Sequence, residues 1–264
     1  MRNIKIFSII AFVSFAFFGC NKGQENIFSE YTIVDPNLSF FKVNYNVAYY
    51  NNPFVQLKIN GVRVSGTNIQ TRYPFPGGGF NTLGGSTGDY LPIQSGNNEI
   101  SLSIPKKGTS IDSVEVFKTT ISTAAGKKYS LHVADTLVRK SLIVDEEVSL
   151  PAEGIVRYRF VNLMPNVAAI DLYIGSIKVV SNIPFMGISD PFTLPITQTN
   201  VSTIWAIRAA GTPATSTAIA TYNSASTLLG QRVYTVFATG YNGYPTTGSN
   251  LDPRRPFVSF YYVR

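Results

Sequence analysis

Four stretches of this 264-residue chain recur in the same order and at similar spacing, and internal repetition restricts a fold more sharply than composition does. Leu38–Asn44 (LSFFKVN) has its counterpart in Val156–Asn162 (VRYRFVN). Val55–Val64 (VQLKINGVRV) matches Ile170–Val179 (IDLYIGSIKV) in pattern, position for position. Ile104–Thr109 parallels Ile207–Thr212, and Gly126–Val133 parallels Gly230–Phe237 with a one-residue slip. Chance alternation in a β-rich chain mimics one block, rarely four in order. The chain therefore reads as two modules, residues 36–152 and 153–264, divided at the acidic and then Pro- and Gly-bearing stretch from Asp145 to Gly154. Each is of ordinary domain size.

Within a module, apolar and polar residues alternate at period two, the pattern of a strand with one buried face. Ile170, Leu172 and Ile174 point one way, Asp171 and Tyr173 the other. Asn60-Gly61 and Gly175-Ser176 are two-residue turn signals that close hairpins, because Asn and Gly accept positive φ. No stretch sustains a helical period, and about seven short strands per module predict two tandem antiparallel, Ig-like β-sandwiches. Composition agrees: 44% hydrophobic and 14% charged residues exclude a disordered chain. One cysteine excludes a disulfide scaffold or a thiolate metal site.

The N-terminus reads as an address. Arg2 and Lys5 precede an apolar run from Ile6 to Phe18, too short to span a bilayer and followed by Gly19 and the lone Cys20. Phe17-Phe18-Gly19-Cys20 resembles the lipobox of bacterial lipoproteins, with Phe17 in place of the usual Leu and Phe18 in place of a small residue. That resemblance implies a signal peptide at 1–19, lipidation of Cys20 and a flexible tether at 20–35. Each buried methylene adds about 0.8 kcal/mol, so several acyl chains anchor a protein durably. The expected location is the outer membrane, on the surface or the periplasmic side. The net charge is +7, or +5 without Arg2 and Lys5. It is spread along the chain with no dense basic cluster, so no nucleic-acid partner is expected.

The second module resembles the DUF4397 family of bacterial envelope proteins. The resemblance lies in Arg157-Tyr158-Arg159-Phe160-Val161-Asn162-Leu163-Met164-Pro165-Asn166 and then Ile170-Asp171-Leu172-Tyr173-Ile174. The preceding Ile143–Glu147, with Pro151 and Gly154, is similar to the family's linkers. Met164 stands where Ser is common and Asn166 where Asp is common. The first module departs further, with Tyr45-Asn46 in place of Leu-x-Pro and Gln56 in place of the aspartate. The resemblance implies a fold and an envelope location, and brings no catalytic residues.

Candidate chemistry is thin. Gly84-Gly85-Ser86-Thr87-Gly88 matches the nucleophile-elbow pattern, and Ser86, Asp112 and His132 fall in triad order. The elbow needs a strand before it and a helix after it, whereas Asp89-Tyr90-Leu91-Pro92 opens no useful helix. His132 lies in a strand that aligns with apolar positions of the other copy. No enzyme activity is expected. A single His and scattered carboxylates supply no zinc, copper or calcium site, so no metal or cofactor is expected. Asp145-Glu146-Glu147 reads as a solvated linker run, Asp171 as a structural hydrogen-bonding group, and Trp205, aligned with Leu102, as core. The Gly-rich stretch Pro76–Gly88 has no equal in the second module and reads as a long mobile insertion. With Tyr73, Phe75, Phe80 and Tyr90 it forms one candidate contact surface; Tyr241 and Tyr244 form another. Flat aromatics beside Asn and Gly suit a glycan or protein partner. The expected function is a lipid-anchored, non-enzymatic binding protein of the cell envelope, with a structural spacer as the alternative.

Overall fold

A computed structural model describes residues 35–49, 51–66, 69–135, 140–196 and 202–264. The expected leader, Cys20 and the tether as far as residue 34 lie outside the described residues. The described chain is all strand and loop apart from one short 3-10 turn at Ala225–Leu228, and no helix in it is long and apolar enough to cross a membrane.

The first half holds β1 (Leu38–Asn46), β2 (Gln56–Ile59), β3 (Val62–Arg63), β4 (Tyr73–Phe75), β5 (Leu91–Gln94), β6 (Gly96–Pro105), β7 (Asp112–Thr123), β8 (Lys128–Ala134) and β9 (Lys140–Asp145). The second holds β10 (Ile155–Asn162), β11 (Ala169–Ile174), β12 (Ile177–Pro184), β13 (Phe192–Pro195), β14 (Ile204–Ala209), β15 (Ala220–Asn223), β16 (Val233–Thr239) and β17 (Phe257–Tyr262). One sheet of the first module runs β4-β1-β8-β9, with β5 also on β1, and faces a second sheet β3-β2-β6-β7. The second module repeats this as β13-β10-β16-β17 over β12-β11-β14-β15. The repeat in sequence is thus a repeat in topology. Pairings are antiparallel except β1 with β8 and β10 with β16, which run parallel. The chain crosses to the other sheet and back between the members of each of those pairs, which is what a parallel neighbour requires.

Local chemistry sets the hairpins. Asn60 (φ +50°) and Gly61 (φ +80°) form the two-residue turn that lets Ile59 pair with Val62. Alternate residues then face each sandwich core. Phe41, Val43, Tyr45, Leu57, Ile100 and Leu131 fill the first, and Tyr158, Phe160, Leu172, Trp205, Tyr234 and Phe260 fill the second. Strand register places Trp205 opposite Ile174 as Ile100 is opposite Ile59, so Trp205 is equivalent to Ile100 and not to Leu102. A two-residue shift leaves the same face inward, which is why the side chain is core either way.

The expectation of one buried face per strand fails for β1, β8, β16 and β17, whose residues are almost all buried. The outer face of the β1–β8–β9 sheet meets the outer face of the β10–β16–β17 sheet. Val161, Leu163, Val233, Phe237, Tyr261 and Val263 of the second module pack there with Ala134 and Leu142 of the first. Burying an aliphatic or Phe side chain contributes roughly 1.5–3 kcal/mol, so this third cluster binds the two sandwiches into one stack.

The Gly-rich stretch adds a second tie. Phe80 and Phe260 exchange backbone bonds (N to O 3.0 and 2.9 Å), and the Tyr262 N–H donates to the Gly78 carbonyl at 3.2 Å. Residues 78–80 thereby cover the free edge of β17, an edge that would otherwise present unpaired N–H and C=O groups. A Cβ on Gly79 would lie 2.2 Å from the Phe260 carbonyl oxygen, so only glycine permits this approach. The stretch expected as a mobile insertion is a strap between modules.

Candidate functional site

The strap takes most of the first aromatic group with it. Phe75 belongs to the first core and Tyr73 packs against it, while Phe80 enters the second core, its ring 5.3 Å from Tyr262 and 6.0 Å from Tyr234. Tyr90 lies under two cations, with Lys42 Nζ 4.4 Å and Lys128 Nζ 4.8 Å from its ring centre. Burial raises its phenol pKa well above the usual value. The surface that Tyr73, Phe75, Phe80 and Tyr90 were expected to offer outward is spent on the chain's own packing, because the glycines let the strap close onto β17.

Between the sheets runs a chain of buried polar groups that sequence reading missed. Asn46 Nδ2 donates to Asn44 Oδ1 at 2.8 Å, and Asn44 Nδ2 lies 3.2 Å from His132 Nδ1. His132 Nε2 is 3.1 Å from the Tyr261 hydroxyl, which donates to Glu146 Oε1 at 2.8 Å. Because the Asn44 amide donates and the Tyr261 hydroxyl is already committed as a donor, the neutral His132 with its proton on Nε2 satisfies every link. Burial pushes the His132 pKa down to about 3 and raises that of Glu146. Lys42 is also fully buried, donates to the Tyr262 carbonyl at 2.9 Å and lies 5.1 Å from the Tyr261 ring centre. Burial lowers its pKa to about 7, the Glu146 charge opposing that shift. The acidic run is therefore not wholly a solvated linker: Asp145 and Glu147 are exposed, but Glu146 closes the seam.

The three residues in triad order are each engaged elsewhere. Ser86 Oγ donates to the Gly79 carbonyl at 2.7 Å. Asp112 receives Lys58 Nζ at 2.8 Å, Gln56 Nε2 at 2.6 Å and the Ser103 hydroxyl. His132 is sealed between the modules. Asp171 has the structural part read for it. Burial pushes its pKa up, but Lys178 Nζ at 2.6 Å and the backbone N–H groups of Asn182 and Gly211 bring it below the usual value.

Tyr241 and Tyr244 have a different setting. They begin the long loop from Gly240 to Pro256, which joins β16 to β17 and leans on both modules. Asn166 and Asn242 exchange hydrogen bonds at 2.8 and 2.9 Å at its start. Asn52 Nδ2 donates to the Leu251 carbonyl at 3.3 Å, and Arg72 Nη2 to that of Asn250 at 3.1 Å. Tyr244, 40% exposed, lies 6.0 Å from the Tyr241 ring and has the Arg254 guanidinium 5.1 Å over its face. Asp252 grips Arg254 in a fork at 2.9 and 2.8 Å.

Two clefts flank this loop. One, of about 290 Å³, lies among Asn51, Asn52, Gln70, Ser249 and Asp252. The other, of about 320 Å³, is lined by Asn81, Thr221, Tyr222, Thr246, Asn250 and Arg255. Beside it the Phe257 ring is flanked by Arg72 at 3.4 Å and Arg255 at 5.0 Å. Arg255 clamps the loop through Gly248 O (2.6 Å), Asn250 Oδ1 (3.0 Å) and Thr246 O. Burial, then the like charge of Arg255, lowers the Arg72 pKa to about 10. Amides, hydroxyls, an exposed tyrosine and arginines make this surface polar.

The family described as Domain of unknown function (DUF4397) matches the chain twice, at residues 48–173 and 157–256. The first match runs across the boundary between the sandwiches into β10 and β11, so the two overlap there. No curated protein matches the chain.

Proposed function

The chain belongs to the DUF4397 family, and from that premise we propose that it is a non-enzymatic, lipid-anchored protein of the cell envelope that binds a glycan or protein partner at the Gly240–Pro256 loop. The observation carrying this reading is the loop itself. It is fixed by hydrogen bonds to both modules, yet it presents Tyr244 and Arg254 outward between two polar clefts. A rigid scaffold that exposes aromatic and amide groups on a held loop suits recognition, since little ordering entropy remains to be lost on binding. A spacer would need no such surface. The dispersal of Ser86, Asp112 and His132 to unrelated partners supports a non-enzymatic role.

The anchor rests on the sequence Gly19-Cys20 behind a short apolar run, and the outer-membrane location follows from it by the same reasoning. Labelled palmitate should enter the wild-type protein and not Cys20→Ser, which should also leave the membrane fraction. Equal labelling of both forms would remove the anchor. For the binding surface, Tyr241→Ala with Tyr244→Ala should abolish partner retention on the purified protein while leaving its melting temperature in place. Unchanged retention would leave the spacer role standing. Proteolysis on intact cells, with lysed cells as control, decides between the surface and the periplasmic side.

A further inference from the structure

The same turn follows β6 in the first module and β14 in the second. In one, the Thr109 N–H and hydroxyl both bond the Lys106 carbonyl at 3.0 Å, with Gly108 at φ +73°. In the other, the Thr212 N–H and hydroxyl bond the Ala209 carbonyl at 3.2 and 2.7 Å, with Gly211 at φ +81°. Lys106-Lys107 thus stands where the second module has Ala209-Ala210, and the turn itself needs no lysine. The surroundings differ. Strand register makes Leu102 the equivalent of Ile207, so the turn begins four residues on in the first module and two in the second. The first module therefore carries it about 7 Å further out. In the second, the Ala210 N–H bonds the Ala169 carbonyl at 2.9 Å and closes the turn onto β11. In the first, among the described residues, no backbone bond joins Lys107 to Phe54, which is equivalent to Ala169. An open groove of about 700 Å³ remains there, with Phe54, Arg63, Lys106, Lys107, Thr109 and Ser110 in its walls.

No carboxylate lines this groove. Lys106 and Lys107 are exposed and make no ion pair among the described residues. Asp112, the nearest acid along the chain, is held by Lys58, Gln56 and the Ser103 hydroxyl. The fold thus gathers three cations that the sequence spaces apart, and a concave surface of one sign concentrates anions. Chain direction says which way it faces. Asp35 lies beside Gln94, next to the start of β6, whereas the groove lies at the other end of that ten-residue strand, about 30 Å away. With the anchor ahead of Asp35, as proposed above, this favours a partner from the solvent side over a lipid headgroup.

We propose that this groove holds a segment of an acidic polysaccharide, its charged groups against Lys106, Lys107 and Arg63 and a sugar ring against the Phe54 side chain, which is 56% exposed. Cations, hydroxyls and one aromatic ring suit a polyhydroxylated anion. The groove shares no lining residue with the two clefts of the Gly240–Pro256 loop, so the assignment stands apart from the role of that loop.

The test measures binding of the purified full chain to immobilised polygalacturonate, neutral dextran and polyglutamate over a range of salt. Polygalacturonate should bind saturably and more weakly as salt rises, dextran should not bind, and polyglutamate should bind less well than the sugar polymer. Lys106→Ala with Lys107→Ala gives the first module the turn sequence of the second. It should weaken polygalacturonate roughly tenfold or more without moving the melting temperature. Lys118→Ala with Lys127→Ala removes the same charge from exposed sites outside the groove and should leave the affinity nearly unchanged. Phe54→Ala should weaken the polysaccharide and leave its salt dependence as it was. The proposal falls if polygalacturonate does not bind, or if the Lys106/Lys107 variant binds it as well as wild type. Equal losses in the two double-lysine variants would reduce the effect to net charge and overturn it as well. Polyglutamate binding as tightly as the polysaccharide would make the groove a site for acidic peptides instead.

Discussion

At the scale of single residues, the seam is organised by protons as much as by shape. His132 is neutral in the folded chain down to about pH 3 because burial penalises its cation, whereas in the unfolded chain it titrates near 6.5. Between those values the unfolded state binds the extra proton, so this histidine lowers stability as pH falls, by up to about 1.4 kcal/mol per pH unit. Glu146 has the opposite sign, since burial raises its folded pKa and acid then favours the folded form. Lys42, with its pKa near 7, is charged in both states below pH 6 and contributes no slope there. His132→Gln keeps an acceptor for Asn44 and a donor for Tyr261 but cannot titrate. The stability difference between this variant and wild type should therefore tilt toward the variant as pH drops from 6.5 to 4. Parallel denaturation profiles would show that His132 is not the buried neutral group described. Tyr261→Phe is harsher: it strands His132 Nε2 and Glu146 Oε1, each at roughly 1–3 kcal/mol.

At the scale of elements, the strap makes the sharpest claim. A methyl group at Gly79 meets the backbone of Phe260 and Tyr261 at 2.2–2.6 Å, and neither can step aside without breaking the Phe80–Phe260 pairing. Gly79→Ala should cost about 1–3 kcal/mol, as overpacking does, and should open the strap to protease. Gly85→Ala, with nothing within 4 Å of the added methyl, should do neither. Equal melting temperatures for the two variants would mean that the strap is not docked on β17. The same elements show what sequence conveys. The strands, hairpins and two-module repeat were legible, because period-two alternation and Asn-Gly turns are local signals. The docking was not, because the buried outer face of β1 and β8 is made of Lys42, Asn44, Ser130 and His132, which read like a solvent-facing row. A clue lay in the other partner: VYTVFAT and FVSFYYV carry apolar residues on both faces, as strands buried on both sides do. Glycine spacing marked the strap as special but gave no direction for it. The aromatic residues of the Gly240–Pro256 loop were found, whereas Arg72 and Arg255 were not, since only the fold brings both to the Phe257 ring.

At the scale of the whole molecule, the two faces that meet are unequal, and that asymmetry predicts how the halves behave apart. Cutting the chain between them would free a polar face on the first module, where Lys42, Asn44 and His132 regain water and the desolvation that perturbs them disappears. The second module would instead expose Val161, Leu163, Phe237, Tyr261 and Val263 as one apolar patch, with the edge of β17 uncovered beside it. Contiguous patches of that kind drive association, and so do bare edges. Residues 36–152 alone should therefore remain monomeric, while residues 153–264 alone should self-associate and bind a hydrophobic dye. Mixing the two should form a one-to-one complex that suppresses dye binding, with Gly79→Ala weakening it through the strap. The joined chain should unfold in a single transition, because each module's exposed face is the other's cover. Two well-separated transitions, or a monomeric second module that binds no dye, would show that the sandwiches are independent and that the third apolar cluster does not hold them together.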